Sequence, residues 1–420
     1  MHIRGRLGKV LLSLAIGFST VALTPWAGPV KAAPSVQIQL DGYPLPFPAS
    51  PVVIEGTTLV PFRAISEALG IKVTWNAKTQ QIIGQKQVEQ TSKQVTLTLG
   101  SRIAFADRQK VTLAVAPRSI KGNTMIPLSF FSQQFGANVK WNAQTQTVSI
   151  VSPKESMYTL GFYALGSFWE RKRIADLNAV AFGWSRIDDQ GNFTLTGKEY
   201  QWPEAAGDIT PEKLITDAAA GETSPYLMVY SVDSKLELTT LISNASKRQA
   251  AAKQITDTAS EKGFKGVLLD MEGLGLTGEK KAAQNAYTAF VKEIVALAHA
   301  SGLKVALALH PLNGAYKGYD YSALGKTADE LIIMAYAYGD QKSPEPTNKV
   351  DEAIKLAMKE VDKRKLVLGI SLASEQADSV NAKIGLAKRY DLKGIALWRL
   401  GLKTKEAVWN AMEQSIEFRS

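Results

Sequence analysis

The stretch Gly-Val-Leu-Leu-Asp-Met-Glu at residues 266–272 is a short apolar run that ends in two carboxylates. Side chains alternate between the two faces of a strand, so Leu268, Asp270 and Glu272 are expected to share one face. Seven further apolar runs lie around it, and segments with helical patterning, such as 247–262, 281–301 and 349–363, separate them. The eight predicted strands are 158–165, 179–185, 225–230, 266–272, 304–310, 331–338, 365–370 and 394–400.

Strand–helix alternation that repeats eight times over about 250 residues is typical of a TIM barrel. We therefore predict an α/β protein in which residues 157–420 form a (β/α)8 barrel. Val267, Leu269 and Met271 would face the surrounding helices, and the two carboxylates would face the interior. The chemistry of such barrels lies at the carboxyl ends of the strands, which is where Asp270 and Glu272 fall.

Two neighbouring carboxylates oppose double ionisation, which raises the pKa of one of them. A carboxyl group with a raised pKa can act as a general acid near neutral pH. The spacing of Asp270 and Glu272 fits such a pair, and it fits equally a solvated pair at a strand end or a structural ion pair. The spacing alone leaves these alternatives open.

Residues 33–152, ahead of the predicted barrel, contain an internal duplication. Residues 56–82 read GTTLVPFRAISEALGIKVTWNAKTQQI, and residues 122–148 read GNTMIPLSFFSQQFGANVKWNAQTQTV. Each copy predicts a strand that ends at a proline, an amphipathic helix that a glycine ends, and a hairpin with a tryptophan. The equivalent residues are Pro61 and Pro127, Gly70 and Gly136, and Trp75 and Trp141. We predict a small α+β domain, in which the identical placement of both tryptophans favours core packing over glycan stacking.

The composition excludes several kinds of site. The chain of 420 residues has no cysteine, which rules out disulfides, thiol catalysis and cysteine-ligated metals. Its three histidines, His2, His299 and His310, are too few for a histidine-rich metal cluster. We expect neither a metal nor a cofactor. The positive charge is not gathered in a block or interleaved with aromatic residues, so nucleic acid is a poor candidate partner.

The N-terminus, residues 1–32, is typical of a signal peptide. Arg4, Arg6 and Lys9 precede an uncharged apolar run at residues 10–23, and cleavage is expected after Ala32. The alternative is a membrane anchor, but the run is shorter than the roughly 20 apolar residues that a span requires. The formal charge of +10 falls by 4 to +6 without residues 1–32. We expect a secreted protein without a stable membrane span, suited to an anionic surface such as a bacterial wall.

The duplicated region closely resembles the stalk domain also called the copper amine oxidase N-terminal-like domain. The signature G-x-T-x-V/I-P…G-x-x-V-x-W-N occurs in both copies, and the resemblance covers about 120 residues. Despite the name, this region contains neither histidine nor cysteine, so it offers no typical copper ligand. The resemblance implies a stalk that holds or targets the protein at a bacterial cell wall.

Residues 157–415 resemble glycoside hydrolase family 18, whose signature is D-G-x-D-x-D-x-E. Glu272 falls on the catalytic acid and Asp270 on its essential neighbour. Lys265 and Leu268 replace two aspartates of the pattern. With Leu268 in that place, we expect Asp270 to lose a like charge and stay ionised, if Tyr336 or backbone groups hydrogen-bond it.

Other strands carry the same resemblance. Met-Ala-Tyr-Ala-Tyr at residues 334–338 is similar to the family's M-x-Y-D-Y strand, with Tyr336 on the catalytic tyrosine and Ala337 in place of the aspartate. Gly-Ile-Ala-Leu-Trp at residues 394–398 resembles the last strand, whose tryptophan, here Trp398, floors the cleavage subsite. Within the family, the layout looks most like that of spore and cell-wall hydrolases.

The resemblance implies substrate-assisted retaining catalysis, in which the 2-acetamido oxygen of the substrate is the nucleophile. Glu272 would protonate the leaving oxygen and then activate water. Asp270 would orient the acetamido group and stabilise the oxazolinium ion, and Tyr336 would hydrogen-bond the acetamido oxygen. Trp398 would offer an apolar face to the sugar. Tyr163, Trp184 and Tyr230 lie near other strand ends and are candidates to line the cleft, with wall packing as the favoured role of each. His310 is a candidate for substrate contact, with a structural role equally favoured. Tyr338 is a further candidate substrate-binding residue.

We therefore expect a secreted glycosidase that cleaves β-1,4 bonds in peptidoglycan or in a chitin-like polymer of N-acetylglucosamine. The main alternative is a catalytically silent barrel that binds glycan at the wall, because Leu268 and Ala337 remove polar groups around the acid. A third interpretation is a structural wall protein that acts through its stalk repeats. The combination of Asp270, Glu272 and Tyr336 favours hydrolysis.

Overall fold

Both copies of the N-terminal duplication fold into a strand, a helix and a hairpin. The computed structural model describes residues 36–88, 91–164, 166–276, 278–402 and 406–419, and the predicted signal peptide lies outside them. The strands of this region are β1 (Gln37–Leu40), β2 (Tyr43–Pro44), β3 (Val52–Ile54), β4 (Thr57–Pro61), β5 (Lys72–Asn76), β6 (Gln81–Val88), β7 (Thr91–Thr98), β8 (Ile103–Ala106), β9 (Gln109–Thr112), β10 (Arg118–Ile120), β11 (Asn123–Pro127), β12 (Asn138–Asn142) and β13 (Thr147–Val151). The helices are α1 (Phe62–Ala68) and α2 (Leu128–Gln134).

These strands form three sheets, with the orders β12-β13-β1-β2, β10-β11-β4-β3 and β5-β6-β7-β8-β9. Ile82, Ile126 and Val148 come from different sheets and are buried in one apolar cluster. Gly70 and Gly136 follow the two helices with φ of 64° and 84°. Because that backbone region is unfavourable for side chains other than glycine, these residues end the helices as predicted.

Trp75 and Trp141 are not core residues, so that prediction was wrong. Their exposed fractions are 42% and 49%. Each follows by two residues a valine, Val73 or Val139, that packs against the buried cluster. Because side chains two residues apart share a face, each tryptophan lies on the core-facing side of its strand. Its exposure shows that the core does not extend as far as the ring. Periodicity fixes the face on which a side chain lies, and it does not fix whether a core extends beneath that face.

The C-terminal region supplies the barrel. Its strands are β14 (Glu155–Ser156), β15 (Tyr158–Tyr163), β16 (Ala179–Ile187), β17 (Phe193–Thr194), β18 (Ser224–Ser231), β19 (Gly266–Met271), β20 (Lys304–Leu309), β21 (Glu330–Ile333), β22 (Leu366–Ser371), β23 (Gly394–Trp398) and β24 (Ile416–Glu417). The order β15-β23-β22-β21-β20-β19-β18-β16 is parallel throughout, and pairing of β15 with β16 closes it. The predicted (β/α)8 barrel is confirmed, with a strand at each of the eight predicted positions.

Helices surround this barrel. They are α3 (Pro211–Ala220), α4 (Glu237–Ser243), α5 (Ala245–Glu261), α6 (Lys280–Ala300), α7 (Tyr321–Thr327), α8 (Thr347–Ala357), α9 (Val380–Arg389) and α10 (Glu406–Ser415), with 3-10 turns at Ser167–Asp176 and Lys363–Lys365. Capping side chains fix several starts: Thr210 accepts from the Lys213 amide, and Asn244 accepts from the Lys247 amide. None of the described helices combines the length and apolarity that a membrane crossing requires.

Both faces of the barrel strands are buried, which explains their nearly continuous apolar sequences. Val267, Leu269 and Met271 pack in the outer cluster between strands and helices, as predicted. Leu268 packs inside the barrel, in a cluster that includes Phe162. The interior below the carboxylates is therefore closed by apolar side chains.

The N-terminal region and the barrel meet through α9. The Arg389 guanidinium donates hydrogen bonds to the carbonyl oxygens of Leu40, Tyr43 and Pro44, at 3.2–3.3 Å. The neighbouring Lys388 ammonium donates to the Pro153 carbonyl at 2.7 Å. These bonds connect the β1–β2 hairpin and the segment after β13 directly to the barrel.

Candidate active site

Asp270 and Glu272 lie at the carboxyl end of β19. Asp270 is 1% exposed, and its strand neighbours are Tyr230 on β18 and Ala308 on β20. Glu272 directly follows the strand, and its amide donates to the Ser231 carbonyl at 2.8 Å. Its side chain keeps 30% of its surface exposed. The strand therefore holds one carboxyl inside the barrel and the other at its mouth.

Burial decides the ionisation of this pair. It raises the pKa of Glu272 to about 7. It also raises the pKa of Asp270 well above its usual range, and the charge of Glu272 adds to that effect. Asp270 Oδ1 has no hydrogen-bond partner among the described residues. The expectation that Asp270 stays ionised is therefore wrong in this state, because the stabilising hydrogen bond on which it depended is missing and desolvation dominates.

Aromatic side chains surround the two carboxyl groups. Tyr336, Tyr230 and Trp398 pack against the inner apolar cluster of the barrel, as does Tyr200. Tyr200 and Tyr230 stack with their ring centroids 4.0 Å apart. Burial, followed by the nearby charges of Asp270 and Glu272, raises the pKa of Tyr336 well above 10. Tyr336 is therefore a neutral hydroxyl that can donate a hydrogen bond beside the pair.

Trp398 is positioned by packing from a neighbouring strand. Its ring meets Phe162 on β15 edge to face, with centroids 5.0 Å apart. Trp398 itself ends β23 and is half-buried. Trp398 therefore keeps part of its ring exposed at the barrel mouth, the position predicted for it.

His310 directly follows β20 and lies beside the acid. Its Nε2 is 3.3 Å from Glu272 Oε2, within ion-pair distance, but the two groups are not aligned for a hydrogen bond. The imidazole stacks on Tyr316, with centroids 4.1 Å apart. Burial lowers the pKa of His310 to about 4, so the ring is neutral at neutral pH. Because the ring is neutral, it does not lower the pKa of Glu272.

A buried polar network holds the segment after Tyr336. Glu345 accepts hydrogen bonds from the amides of Ala337 and Tyr338, at 3.0 and 3.1 Å. Its own amide donates to Glu375 at 3.0 Å, and the Lys383 ammonium lies 3.3 Å from Glu375. Glu345, Glu375 and Lys383 are each at most 5% exposed. The network fixes the backbone that presents Tyr336.

Three predicted substrate-binding residues are not brought to this group. Tyr163 and Trp184 are buried in the outer cluster between barrel and helices, 5.9 Å apart between ring centroids. Alternation turns them away from the interior, so the wall-packing alternative describes them. Tyr338 also packs on the outer cluster and donates from its hydroxyl to Asn313 at 2.9 Å.

Sequence reasoning missed Tyr200, Tyr316 and Glu345, which lie on loops rather than on the periodic strands. It also missed Trp169, which is 83% exposed on the 3-10 turn that follows β15. A tryptophan on the segment that follows a barrel strand is a signal that the sequence already contains. In the described part of the chain, no group of three or more histidine, aspartate or glutamate side chains is placed to hold a metal ion.

Comparison with known proteins agrees with this geometry. Residues 39–150 match the copper amine oxidase N-terminal domain, and residues 230–410 match the glycosyl hydrolases family 18. The cortical fragment-lytic enzyme of Bacillus subtilis (strain 168) is 23% identical over 230 residues, which cover 39% of this chain and 52% of that protein. The cortical fragment-lytic enzyme of Bacillus anthracis is 24% identical over 207 residues, covering 43% of this chain and 47% of that protein.

Among solved structures, the spore cortex-lytic enzyme SleL of Bacillus megaterium QM B1551 superposes with a TM-score of 0.52 at 16% identity. The superposition covers 64% of this chain and 76% of that one. The chain thus spans about half the length of the curated relatives it matches. The two family resemblances predicted from the sequence are confirmed.

Proposed function

We propose that this protein is a glycosidase that cleaves β-1,4 bonds in peptidoglycan, since residues 230–410 match the glycosyl hydrolases family 18. Two curated relatives are named cortical fragment-lytic enzymes, which supports a wall polymer built from N-acetylhexosamines as the substrate. A secreted protein, located at the cell wall or spore, fits this substrate.

The observation that carries the proposal is the position of Glu272 at the barrel mouth, beside the buried Asp270, where burial raises the pKa of Glu272 to about 7. A carboxyl group with a pKa of about 7 is a poised general acid at neutral pH, where an ordinary glutamate is ionised. Glu272 sits at the mouth of the barrel, with part of its side chain open to a ligand. A structural ion pair would instead bring a cation to the carboxylate and lower its pKa.

The reaction we propose is the substrate-assisted one that the family resemblance implies. Glu272 donates its proton to the glycosidic oxygen while the 2-acetamido oxygen of the same substrate attacks the anomeric carbon. The resulting oxazolinium ion carries positive charge beside Asp270. Water then attacks the anomeric carbon and opens the oxazolinium ring, while the ionised Glu272 takes up a proton from that water. The configuration of the anomeric carbon is retained, because it is inverted twice.

Asp270 and Tyr336 would hold the acetamido group during these steps. Asp270 Oδ1 is a buried acceptor without a partner in the described residues, and the acetamido N–H is a donor of suitable size. The neutral Tyr336 hydroxyl would donate to the acetamido oxygen. Bound substrate would therefore supply both a hydrogen bond to Asp270 and a developing positive charge beside it. Both favour the ionised form of Asp270.

The competing function is a silent barrel that binds glycan without cleaving it. Leu268 is fully buried and apolar below Asp270, and Ala337 contributes no polar side chain beside Tyr336. These two positions favour the alternative. A lectin, however, has no use for a carboxyl group whose pKa is raised to about 7.

Digestion of purified peptidoglycan and of chitin oligomers separates the two functions. We expect new reducing ends, identified by mass spectrometry, with the wild-type protein. Glu272→Gln keeps the shape but cannot donate an acidic proton, so turnover should fall at least about 100-fold. Binding without new reducing ends would support the silent barrel. Turnover by Glu272→Gln at the wild-type rate would show that Glu272 is not the general acid.

We also propose that residues 33–152 act as a stalk that retains the barrel, residues 157–420, at the wall. A second binding module raises the effective concentration of the barrel at an insoluble polymer. The bonds from Arg389 and Lys388 keep the two regions in contact, so retention by one region places the other at the polymer surface.

A further inference from the structure

Two exposed tryptophans on the N-terminal region remain outside the proposed catalytic function. Trp75 and Trp141 lie on β5 and β12, each at the edge of its sheet. Their registers correspond: Trp75 pairs with Ile82, and Trp141 pairs with Val148. The same ring is therefore presented twice, in the same local setting.

The turns beside the rings are also alike. Asn76 Oδ1 accepts from the amides of Lys78 and Thr79 at 3.0 and 3.2 Å. Asn142 Oδ1 accepts from the amides of Gln144 and Thr145 at the same two distances. These bonds fix each hairpin turn directly next to its tryptophan. A fixed turn next to a half-covered ring gives a rigid platform.

The surroundings of each ring are polar rather than apolar. The exposed neighbours along the chain are Thr74, Asn76, Lys78 and Thr79 in the first copy, and Lys140, Asn142, Gln144 and Thr145 in the second. Amides, hydroxyls and ammonium groups around a single indole suit a sugar, which stacks its C–H face on the ring and hydrogen-bonds at its rim. A protein-binding site of standard size would need a broader apolar centre.

Charge separates the two regions of the chain. Residues 33–152 hold 11 Lys and Arg against 5 Asp and Glu, whereas residues 153–420 hold 34 of each class. The whole net charge of +6 after residue 32 therefore lies on the region that carries the two tryptophans. Such a region attracts an anionic polymer at long range.

We propose that Trp75 and Trp141 form two glycan-binding platforms that hold one carboxylate-bearing N-acetylhexosamine polymer, the glycan of peptidoglycan. The identity of this polymer rests on the proposed function of the barrel. Two weak sites on one repeating polymer act together, because binding at one raises the effective concentration at the other. The duplication thereby gives avidity without a deep pocket.

Sedimentation with insoluble, protease-treated peptidoglycan tests the proposal, using the full chain with Glu272→Gln so that the polymer stays intact. Trp75→Ala and Trp141→Ala should each weaken binding about fivefold, and the double variant more than about twentyfold. Trp75→Phe with Trp141→Phe should keep most of the affinity, because a ring remains. Phe105→Ala is the matched control, since Phe105 is 41% exposed on β8, which is separated from β5 by two strands of the same sheet.

Turnover of short soluble oligosaccharides separates this proposal from the proposed function. In chains with native Glu272, the double alanine variant should cleave them within about twofold of wild type. Unchanged sedimentation by the folded double alanine variant overturns the platforms while leaving the hydrolase intact. Loss of binding only on walls that retain their proteins would identify a protein partner and also overturn the proposal. If the chain with native Glu272 shows no hydrolysis but the double alanine variant no longer sediments with peptidoglycan, the binding platforms are supported and the proposed hydrolase function is not.

Discussion

Replacing Glu272 with glutamine should stabilise the fold at neutral pH while it abolishes catalysis. Burial holds the pKa of Glu272 at about 7 against an ordinary value of 4.5. That difference corresponds to about 3.4 kcal/mol, at about 1.36 kcal/mol per pKa unit. The Glu272 side chain is 30% exposed. Solvent screening reduces the expected gain to about 2 kcal/mol.

The pH dependence identifies the cause. Below pH 4.5 the carboxyl is neutral in both folded and unfolded chains, so it carries no penalty. Between pH 4.5 and about 7 the unfolded chain releases the proton and the folded chain keeps it, so wild-type stability falls. Above about pH 7 the penalty is complete. Glutamine does not titrate, and the gain of Glu272→Gln over wild type should therefore appear only as the pH rises.

Urea unfolding of both proteins at pH 4 and pH 8, followed by tryptophan fluorescence, measures this gain. We expect free energies of unfolding that agree at pH 4 and differ by about 2 kcal/mol at pH 8. Glu204→Gln, which alters an exposed carboxylate, should show no such growth between the two pH values. A Glu272→Gln gain that is equal at both pH values, or absent at pH 8, would refute the raised pKa of the partly buried Glu272.

Three further substitutions test other parts of the structure. Leu268→Asp places a carboxyl in the apolar barrel interior and should destabilise the protein by about 3 kcal/mol or more in thermal unfolding, whereas Leu268→Met should be nearly neutral. Glu345→Gln removes one of two backbone acceptors behind Tyr336 and should lower kcat about tenfold without moving the pH profile, with the exposed Glu352→Gln as control. Arg389→Ala should speed proteolysis between residues 152 and 157, because three hydrogen bonds to the β1–β2 hairpin are lost. An unchanged cleavage rate would show that these hydrogen bonds do not hold the two regions together.

The strands and the carboxyl pair could be predicted because they depend on local order. Alternation alone placed Leu268 inside the barrel and Asp270 beside Glu272 at the strand end. Tyr200 and Glu345 could not be found in this way, since loops without periodicity bring them to the site. Their positions depend on contacts between segments far apart in the chain.

The ionisation of Asp270 shows a different limit. The sequence shows which like charge is absent when Leu268 replaces an aspartate, but not how deeply the remaining carboxyl is buried. In the structure Asp270 is 1% exposed and Oδ1 lacks a partner among the described residues, so desolvation outweighs the lost repulsion. A burial term of this kind depends on the whole barrel interior, and no short motif contains it.

Leu268 and Ala337 then act in the same direction on the pair formed by Asp270 and Glu272. Each leaves an apolar side chain where the family pattern has an aspartate, so neither adds a charge or a hydrogen bond near Asp270. The neutral His310 beside Glu272 adds no cation, so burial remains the main influence on the pKa values of Asp270 and Glu272, and it raises both. An acetamido group is the element that would reverse this balance, because it brings a donor for Oδ1 and then a positive charge. Under the proposed function, burial raises the pKa of Glu272 to about 7, and bound substrate would favour the ionised form of Asp270.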